Sequence, residues 1–333
     1  MHAVVLVGGF GTRLRPLTLT VPKPLLPIFH VSILERLMSS LAFGGVTDAV
    51  LSLGFKPEPF RDAFPDDLCG GVRLSYAVED SPLDTAGAIG FAARVADISD
   101  TFLVANGDVI SDLNVATLIA FHRRRQAEGT LHLTPVDDPS QYGVVEIDSN
   151  GRVQRFFEKP QPGDTTSREV SGGTYVLEPS ALKRMPGTAP MSIERDIFPQ
   201  MAREGVLYAL ATDDYWIDAG QPDTYIRANL EWVSRGRAAA SEAIHATAQV
   251  ANSAQVRSSI IGAGAHVGED AVIESSVLLS GAIVATRAHV VDSAVMGTVD
   301  HDANVARCVI GIDGIVAAGA TLVDKRVPAP IGK

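Results

Sequence analysis

The sequence predicts an α/β domain with a Rossmann-like, mainly parallel sheet, followed by a left-handed β-helix. Three observations predict it. Buried apolar runs alternate with helix-patterned stretches from Val4 to Arg125, hairpin signals replace that alternation after Thr130, and a six-residue apolar rhythm begins near His245. Strands alternating with helices imply right-handed βαβ units and a parallel sheet. One apolar position every six residues suits a β-helix, whose short strands each point one side chain into a narrow triangular core.

Val4-Val5-Leu6-Val7 is a continuous apolar run, as expected of a strand buried on both faces. Ser32 and Glu35 form a capping box, so a helix should run to about Ala42 and stop at Gly44-Gly45. Val46 to Leu53 reads as the next strand, and Lys56 to Phe64 as a short helix with Pro57 in its first turn. Val72 to Val78 is a third strand, Ala86 to Val95 a helix and Thr101 to Ala105 a fourth strand. Val115 to Arg125 reads as a helix. Its closing run Arg123-Arg124-Arg125 suits the negative end of the helix dipole, so those arginines read as structural. Asp148-Ser149-Asn150-Gly151 between two apolar runs marks a hairpin. Thr174 to Leu177 and Leu207 to Ala211 add strands, with a helix near Ile193 to Ala202 between them and another from Asp223 to Ser234. The hexad column reads Val250, Val256, Ile261, Val267, Ile273, Leu279, Ala285, Val291, Val299, Val305, Ile310, Val316 and Leu322, with slips after Val256, Val291 and Val305. The linear division is therefore 1–236 for the α/β domain and 237–333 for the β-helix. Cutting near Arg237 is expected to lower the oligomeric state more than it harms the glycine-rich phosphate cradle behind the first strand, because the tail's apolar sides suit self-association.

Composition narrows the function. The chain has 333 residues, 46% apolar and 20% charged, with net charge −11 and two distant cysteines. No apolar run reaches the roughly 18 residues of a membrane span. The acidic balance argues against nucleic acid as a partner. The lone cysteines suit a reduced, cytoplasmic protein.

The stretch behind the first strand carries the chemistry. Gly8, Gly9 and Gly11 let backbone N–H groups turn toward an anion, and Arg13 and Lys23 add two fixed positive charges. Pro16, Pro22, Pro24 and Pro27 stiffen the segment bearing Lys23. The result is a phosphate cradle, yet neither standard fingerprint fits. No Gly-Lys-Ser/Thr occurs, and Leu14 stands where a dinucleotide loop needs its third glycine. Asn106-Gly107-Asp108 follows the fourth strand, where open α/β sheets bind ligands, and a carboxylate there can hold Mg²⁺. Asp218, in Trp216-Ile217-Asp218-Ala219-Gly220, is a second such carboxylate.

Gly8 to Leu25 resembles the signature of the sugar nucleotidyltransferase family, G-G-x-G-T-R-L-x-P-L-T-x-x-x-P-K-P-L, and within it the mannose-1-phosphate guanylyltransferases. The resemblance extends through Tyr142-Gly143, Glu158-Lys159-Pro160, the segment Ser192 to Pro199 and the repeat tail. It implies transfer of a nucleotidyl group from GTP to mannose 1-phosphate with Mg²⁺. Arg13 and Lys23 would be catalytic. Leu6, Gly8, Gly9, Gly11, Thr12, Glu79, Pro82, Asp84, Asn106 and Asp108 would join them on the nucleotide. Tyr142, Gly143, Glu158, Lys159, Ser171 and Asp218 would hold the sugar phosphate, and Asp108 and Asp218 the metal. A homo-oligomer, dimer or higher, is implied. The alternatives are another NTP or another hexose or cyclitol 1-phosphate, a non-catalytic regulatory paralogue, and a hexapeptide-repeat acyltransferase. Two departures bear on substrate choice. Asp84 replaces a glycine in the base-lining segment Pro82 to Gly87, and Ser171 replaces an asparagine before the sugar-side strand. A carboxylate at 84 matches the paired donors of guanine if it points inward; otherwise it is solvent-exposed or caps the following helix.

Overall fold

The computed structural model describes residues 1–54 and 57–329. It divides into two compact units, one of Met1–Gly9 with Leu34–Trp216, the other of Phe10–Ile33 with Ile217 onward. The grouping of Phe10–Ile33 with the repeats follows no composition shift.

The first unit is built on one mixed sheet. Its centre holds four parallel strands, β1 (His2–Leu6), β2 (Asp48–Leu53), β3 (Val72–Val78) and β4 (Phe102–Asn106), in the order β3-β2-β1-β4. The chain steps one way from β1 to β2 and the other way to β4, so the switch point lies between β1 and β4. Beyond β4 the sheet turns antiparallel. There β5 (Gly129–Pro135) pairs with β8 (Glu169–Leu177), and the hairpin β6 (Gly143–Ile147) and β7 (Val153–Glu158) forms as its turn residues require. β9 (Leu207–Ala211) runs parallel to β5. Helices α1 (Ile33–Phe43), α3 (Asp84–Val95) and α4 (Val115–Arg125) lie close to their expected bounds. The guanidinium groups of Arg124 and Arg125 lie over the Phe121 ring at 5.9 and 5.2 Å, a packing role for that cluster.

Three expectations need correction. Helix α2 covers Glu58–Ala63, and Lys56 lies outside the described residues. The stretch from Ile193 is one π-helical turn, Ile193–Ile197, leading into α5 (Phe198–Glu204). Pro199 opens α5 because a proline is tolerated only in a first turn. The hexad column also shifts. Leu278, Val284 and Val290 point into the repeat core in place of Leu279, Ala285 and Val291.

That shift has a simple cause. The second unit carries three parallel five-stranded sheets of two- and three-residue strands, the left-handed β-helix. Equivalent residues are 17 apart on most coils, so the three sides cannot all span six residues. The short side carries a ladder. Ser276 N–H donates to Ser259 Oγ at 3.1 Å, Ser293 N–H to Ser276 Oγ at 3.0 Å, and Cys308 N–H to Ser293 Oγ at 2.9 Å. Each rung follows a corner residue in the left-handed region, Ser258, Ser275, Asp292 and Arg307. Helix α6 (Pro222–Ser234) precedes the coils.

Candidate active site

In the second unit the cradle loop closes on itself. Gly11 has φ +56°, and Thr18 Oγ1 donates to its main-chain oxygen at 2.8 Å. The 3₁₀ turn Thr12–Leu14 then presents Arg13, whose side chain is more than half exposed. Lys23 is the reverse case, with a side chain only 6% exposed. A buried ammonium needs a counter-charge, and Lys23 Nζ donates to Asp218 Oδ1 at 3.0 Å. Arg13 Nη2 lies 3.8 Å from the other oxygen of Asp218. One carboxylate therefore sits between the two cations. Gly220 makes this possible, since a Cβ there would lie 2.8 Å from Asp218 Oδ1 and 3.1 Å from both Arg13 Nη2 and Lys23 Nζ. Thr18 and Gly220 lie inside the quoted motifs, but sequence reasoning gave neither a role.

In the first unit the loops after β1 and β4 meet at the switch point. Gly107 N–H donates to Leu6 O at 2.9 Å, and a Cβ at 107 would strike Val7. Asp108 is half-buried in that turn. Gly8 lies against Gly54, whereas a Cβ at Gly9 would meet nothing within 4 Å among the described residues. Glu79 is buried, and its oxygens accept from Ser52 Oγ at 3.2 Å and Leu83 N–H at 2.8 Å. It thereby shapes the turn carrying Pro82.

Asp84 does not cap in the usual way, and its side chain is exposed. It lies at φ +55°, accepts from Thr85 N–H at 2.7 Å, and pairs with Arg195 Nη2 at 2.7 Å. An N-cap carboxylate would instead reach two or three residues ahead. Thr85 Oγ1 donates to Glu194 Oε2 at 2.7 Å, and Ser192 Oγ donates to the same oxygen at 2.9 Å. The Ser192-to-Asp196 segment thus clamps the Pro82-to-Gly87 segment, an arrangement set by residues a hundred positions apart.

The residues expected on the sugar side also converge. Gly143 pairs with Glu158 across the hairpin, and a Cβ at 143 would strike the Phe156 ring. Burial and the nearby Glu194 push the Glu158 carboxyl up, while Lys159 and Arg195 oppose the shift. Lys159 sits at φ +51° with Nζ 3.7 Å from Glu158 and its N–H donating to Tyr142 O at 3.0 Å. Tyr142 meets Trp216 edge-on at 5.5 Å, and Trp216 Nε1 donates to Gly172 O at 2.9 Å. Ser171 opens a bulge in β8, where the register against β5 shifts. His132 fills the space beneath, and a Cβ at Gly172 would lie 2.4 Å from its ring. Burial lowers the His132 pKa to about 4. A Cβ at Gly173 would meet Asn106, which joins this group to the β4 loop. His132, Trp216 and Arg195 were not singled out from sequence. Each acts through long-range packing that carries no local pattern.

Among the described residues no group of three or more His, Cys, Asp or Glu could hold a metal by itself. Mg²⁺ asks for less, one or two carboxylates with the rest of its shell from phosphates and water. A donor set of aspartates alone fits that hard cation. No helix among the described residues is long and apolar enough to cross a membrane.

The nucleotidyl transferase family model matches residues 2–235. The mannose-1-phosphate guanyltransferase of Schizosaccharomyces pombe is 40% identical over 238 residues, covering 70% of this chain and 65% of its own. The chain thus spans about two thirds of the curated relatives it matches. Yersinia pseudotuberculosis HddC, crystallised with GMP-PN, superposes with TM-score 0.59 at 31% identity over 70% of this chain and 99% of its own. A Bacillus anthracis protein provisionally named a glucose-1-phosphate thymidylyltransferase, solved with sucrose, gives TM-score 0.62 at 26% identity over 69% and 94%. The family model covers more than half of the sequence, and the chain belongs to the nucleotidyl transferase family.

Proposed function

We propose that the chain is a sugar-phosphate nucleotidyltransferase that takes GTP and mannose 1-phosphate and yields GDP-mannose and pyrophosphate. The observation that carries this reading is the Arg13–Asp218–Lys23 trio closed over Gly220, two cations held by one carboxylate beside a glycine loop. An oxygen of the sugar phosphate attacks the α-phosphorus, and the bond from that phosphorus to the β-phosphate bridge breaks, so pyrophosphate leaves. No general base is required, because a phosphate monoester with a second pKa of about 6 is mostly dianionic near neutral pH. The work is positioning and charge neutralisation.

Gly8, Gly9, Gly11, Thr12 and Arg13 hold the NTP phosphates, and Lys23 supports the charge that develops in transfer. Leu6, Glu79, Pro82, Asp84 and Asn106 shape the nucleoside pocket, with Asp84 already committed to Arg195. Tyr142, Gly143, Glu158, Lys159 and Ser171 hold the sugar phosphate together with Asp218. Asp108 and Asp218 are the Mg²⁺ ligands, and the metal when bound neutralises phosphate charge. In linear terms 1–236 is the catalytic domain and 237–333 the β-helix domain. The protein acts as a cytoplasmic homo-oligomer, dimer or higher, and buried, unbridged Cys69 and Cys308 suit a reducing compartment.

GTP is favoured by the names of the curated relatives and by the nucleotide analogue bound to HddC. Glucose 1-phosphate with a thymidine nucleotide is the second reading, favoured by the Bacillus anthracis likeness. Pyrophosphate release across four NTPs and a panel of hexose 1-phosphates tests both. Highest kcat/KM with GTP and mannose 1-phosphate is the expected result, and a thymidine or uridine preference transfers the assignment to the second reading.

A further inference from the structure

The cradle segment is part of the same compact unit as the β-helix. Two contacts join them near Arg13. Arg326, in the strand Arg326–Val327 of the final coil, donates from Nη1 to the main-chain oxygen of Arg15 at 3.1 Å. Gly311, on the preceding coil of the same sheet, lies against Pro16. A Cβ there would be 2.8 Å from Pro16 Cβ and 3.2 Å from Pro16 O. Leu14 and Leu17, on either side of this contact, are fully buried.

Arg15 closes the 3₁₀ turn that carries Arg13. Its N–H donates to Thr12 O at 3.3 Å, and the N–H of Leu14 donates to Gly11 O at 3.0 Å. Thr18 holds the entry of that turn through Gly11 O. Arg326 holds its exit. A guanidinium donating to a half-buried carbonyl makes a charge-assisted bond, stronger than a neutral one. Both ends of the turn are therefore fixed, one by the loop itself and the other by the last coil of the β-helix.

We propose that Arg326 is a positioning residue for Arg13, and that the β-helix is a working part of the phosphate cradle. The proposal rests on reading Arg13 as an NTP-phosphate ligand. It also gives loss of the tail a direct cost at the cradle, because the exit of the turn is bonded to that tail.

The test uses the full chain with Arg326→Ala, Arg326→Lys and, as an independent push on the same turn, Gly311→Ala. Steady-state pyrophosphate release gives KM for GTP and for mannose 1-phosphate. Amide hydrogen exchange reads residues 11–19 without any assay of activity. Arg326→Ala should raise the GTP KM about tenfold, the scale of one charge-assisted hydrogen bond, and leave the KM for mannose 1-phosphate within about twofold. Exchange should quicken at 11–19 and stay unchanged in the coils from 260 to 300. Arg326→Lys should recover most of the GTP affinity, and Gly311→Ala should mimic the alanine variant. A folded Arg326→Ala with wild-type GTP KM and wild-type exchange at 11–19 overturns the proposal, and so does faster exchange spread evenly through the β-helix. If Arg326→Ala does not fold, the lysine variant and Gly311→Ala decide the matter by the same two readouts. A wild-type protein that releases no pyrophosphate refutes the functional reading instead, and the exchange pattern at 11–19 then decides the positioning alone.

Discussion

Gly220→Ala is the smallest change that reaches the charged trio. The added methyl would sit 2.8 Å from Asp218 Oδ1 and 3.1 Å from Arg13 Nη2 and Lys23 Nζ. All three are the far ends of side chains, so the backbone can stay in place while the charges separate. Lys23 and Asp218 are 3.0 Å apart. At an effective dielectric of about 20 their attraction is about 5.5 kcal/mol at that distance and about 4.1 kcal/mol one ångström further out. The difference, about 1.4 kcal/mol, is tenfold in a rate or an equilibrium. Gly220→Ala should therefore keep the wild-type circular dichroism, lower kcat for pyrophosphate release about tenfold and lower Tm slightly. Unchanged kcat in the folded variant refutes the trio as the catalytic centre. Loss of the fold refutes the placement of the crowding on side-chain ends.

Gly9→Ala separates binding from stability, since its Cβ meets no described atom of the protein within 4 Å. Unfolding should be unaltered while the KM for GTP rises, and an unchanged KM counts against close approach of phosphate to that backbone. Asp108→Asn and Asp218→Asn should each remove most turnover and flatten the Mg²⁺ dependence, with near-wild-type release from either variant overturning the metal assignment. His132 gives the pH dependence a sign. Its folded pKa of about 4 lies below the ordinary value of 6.5, so the unfolded chain binds the extra proton. The stability this gives is complete above pH 6.5 and is lost as pH falls toward 4, roughly 3 kcal/mol in all. Burial lowers His122 in the same sense. Urea unfolding at pH 7.5 and 4.5 checks this, and His132→Asn should flatten the difference. An equal difference in that variant removes His132 from the explanation.

The sequence was most legible where one local rule decides the structure. Val4 to Val7 could only be a buried strand, and Arg13 and Lys23 in the glycine-rich segment behind it are the two cations that the fold brings to Asp218. β5 was not read from the sequence although Thr130, His132 and Thr134 alternate with leucines as on a strand, and that alternation gives no sign that all three polar residues are buried. Their hydroxyl and ring groups find partners on other elements, such as Thr130 on His122 and His132 on Thr212. Asp84 is exposed, as one reading of the sequence had it, but its ion pair was not foreseen. Its partner Arg195 lies 111 residues away, beyond any cap or pocket rule. The repeat tail showed its period but not its coil. The slips after Val256 and Val305 marked the shorter side at two coils, but the column was read one residue late from Leu279 to Val291, and the serine ladder that fixes that side reads in sequence as scattered small residues. The bond from Arg326 to Arg15 spans 311 residues and leaves no periodic trace.

Dual-substrate dependence of pyrophosphate release tests the central claim most directly. Full-length protein with Mg²⁺ is given GTP alone, mannose 1-phosphate alone and both together, while pyrophosphate and GDP-mannose are measured in the same samples. The expected result is no product from either substrate alone and equimolar pyrophosphate and GDP-mannose from the pair. Pyrophosphate from GTP alone, or none from the pair or from any other NTP and sugar 1-phosphate, would contradict nucleotidyl transfer by this chain.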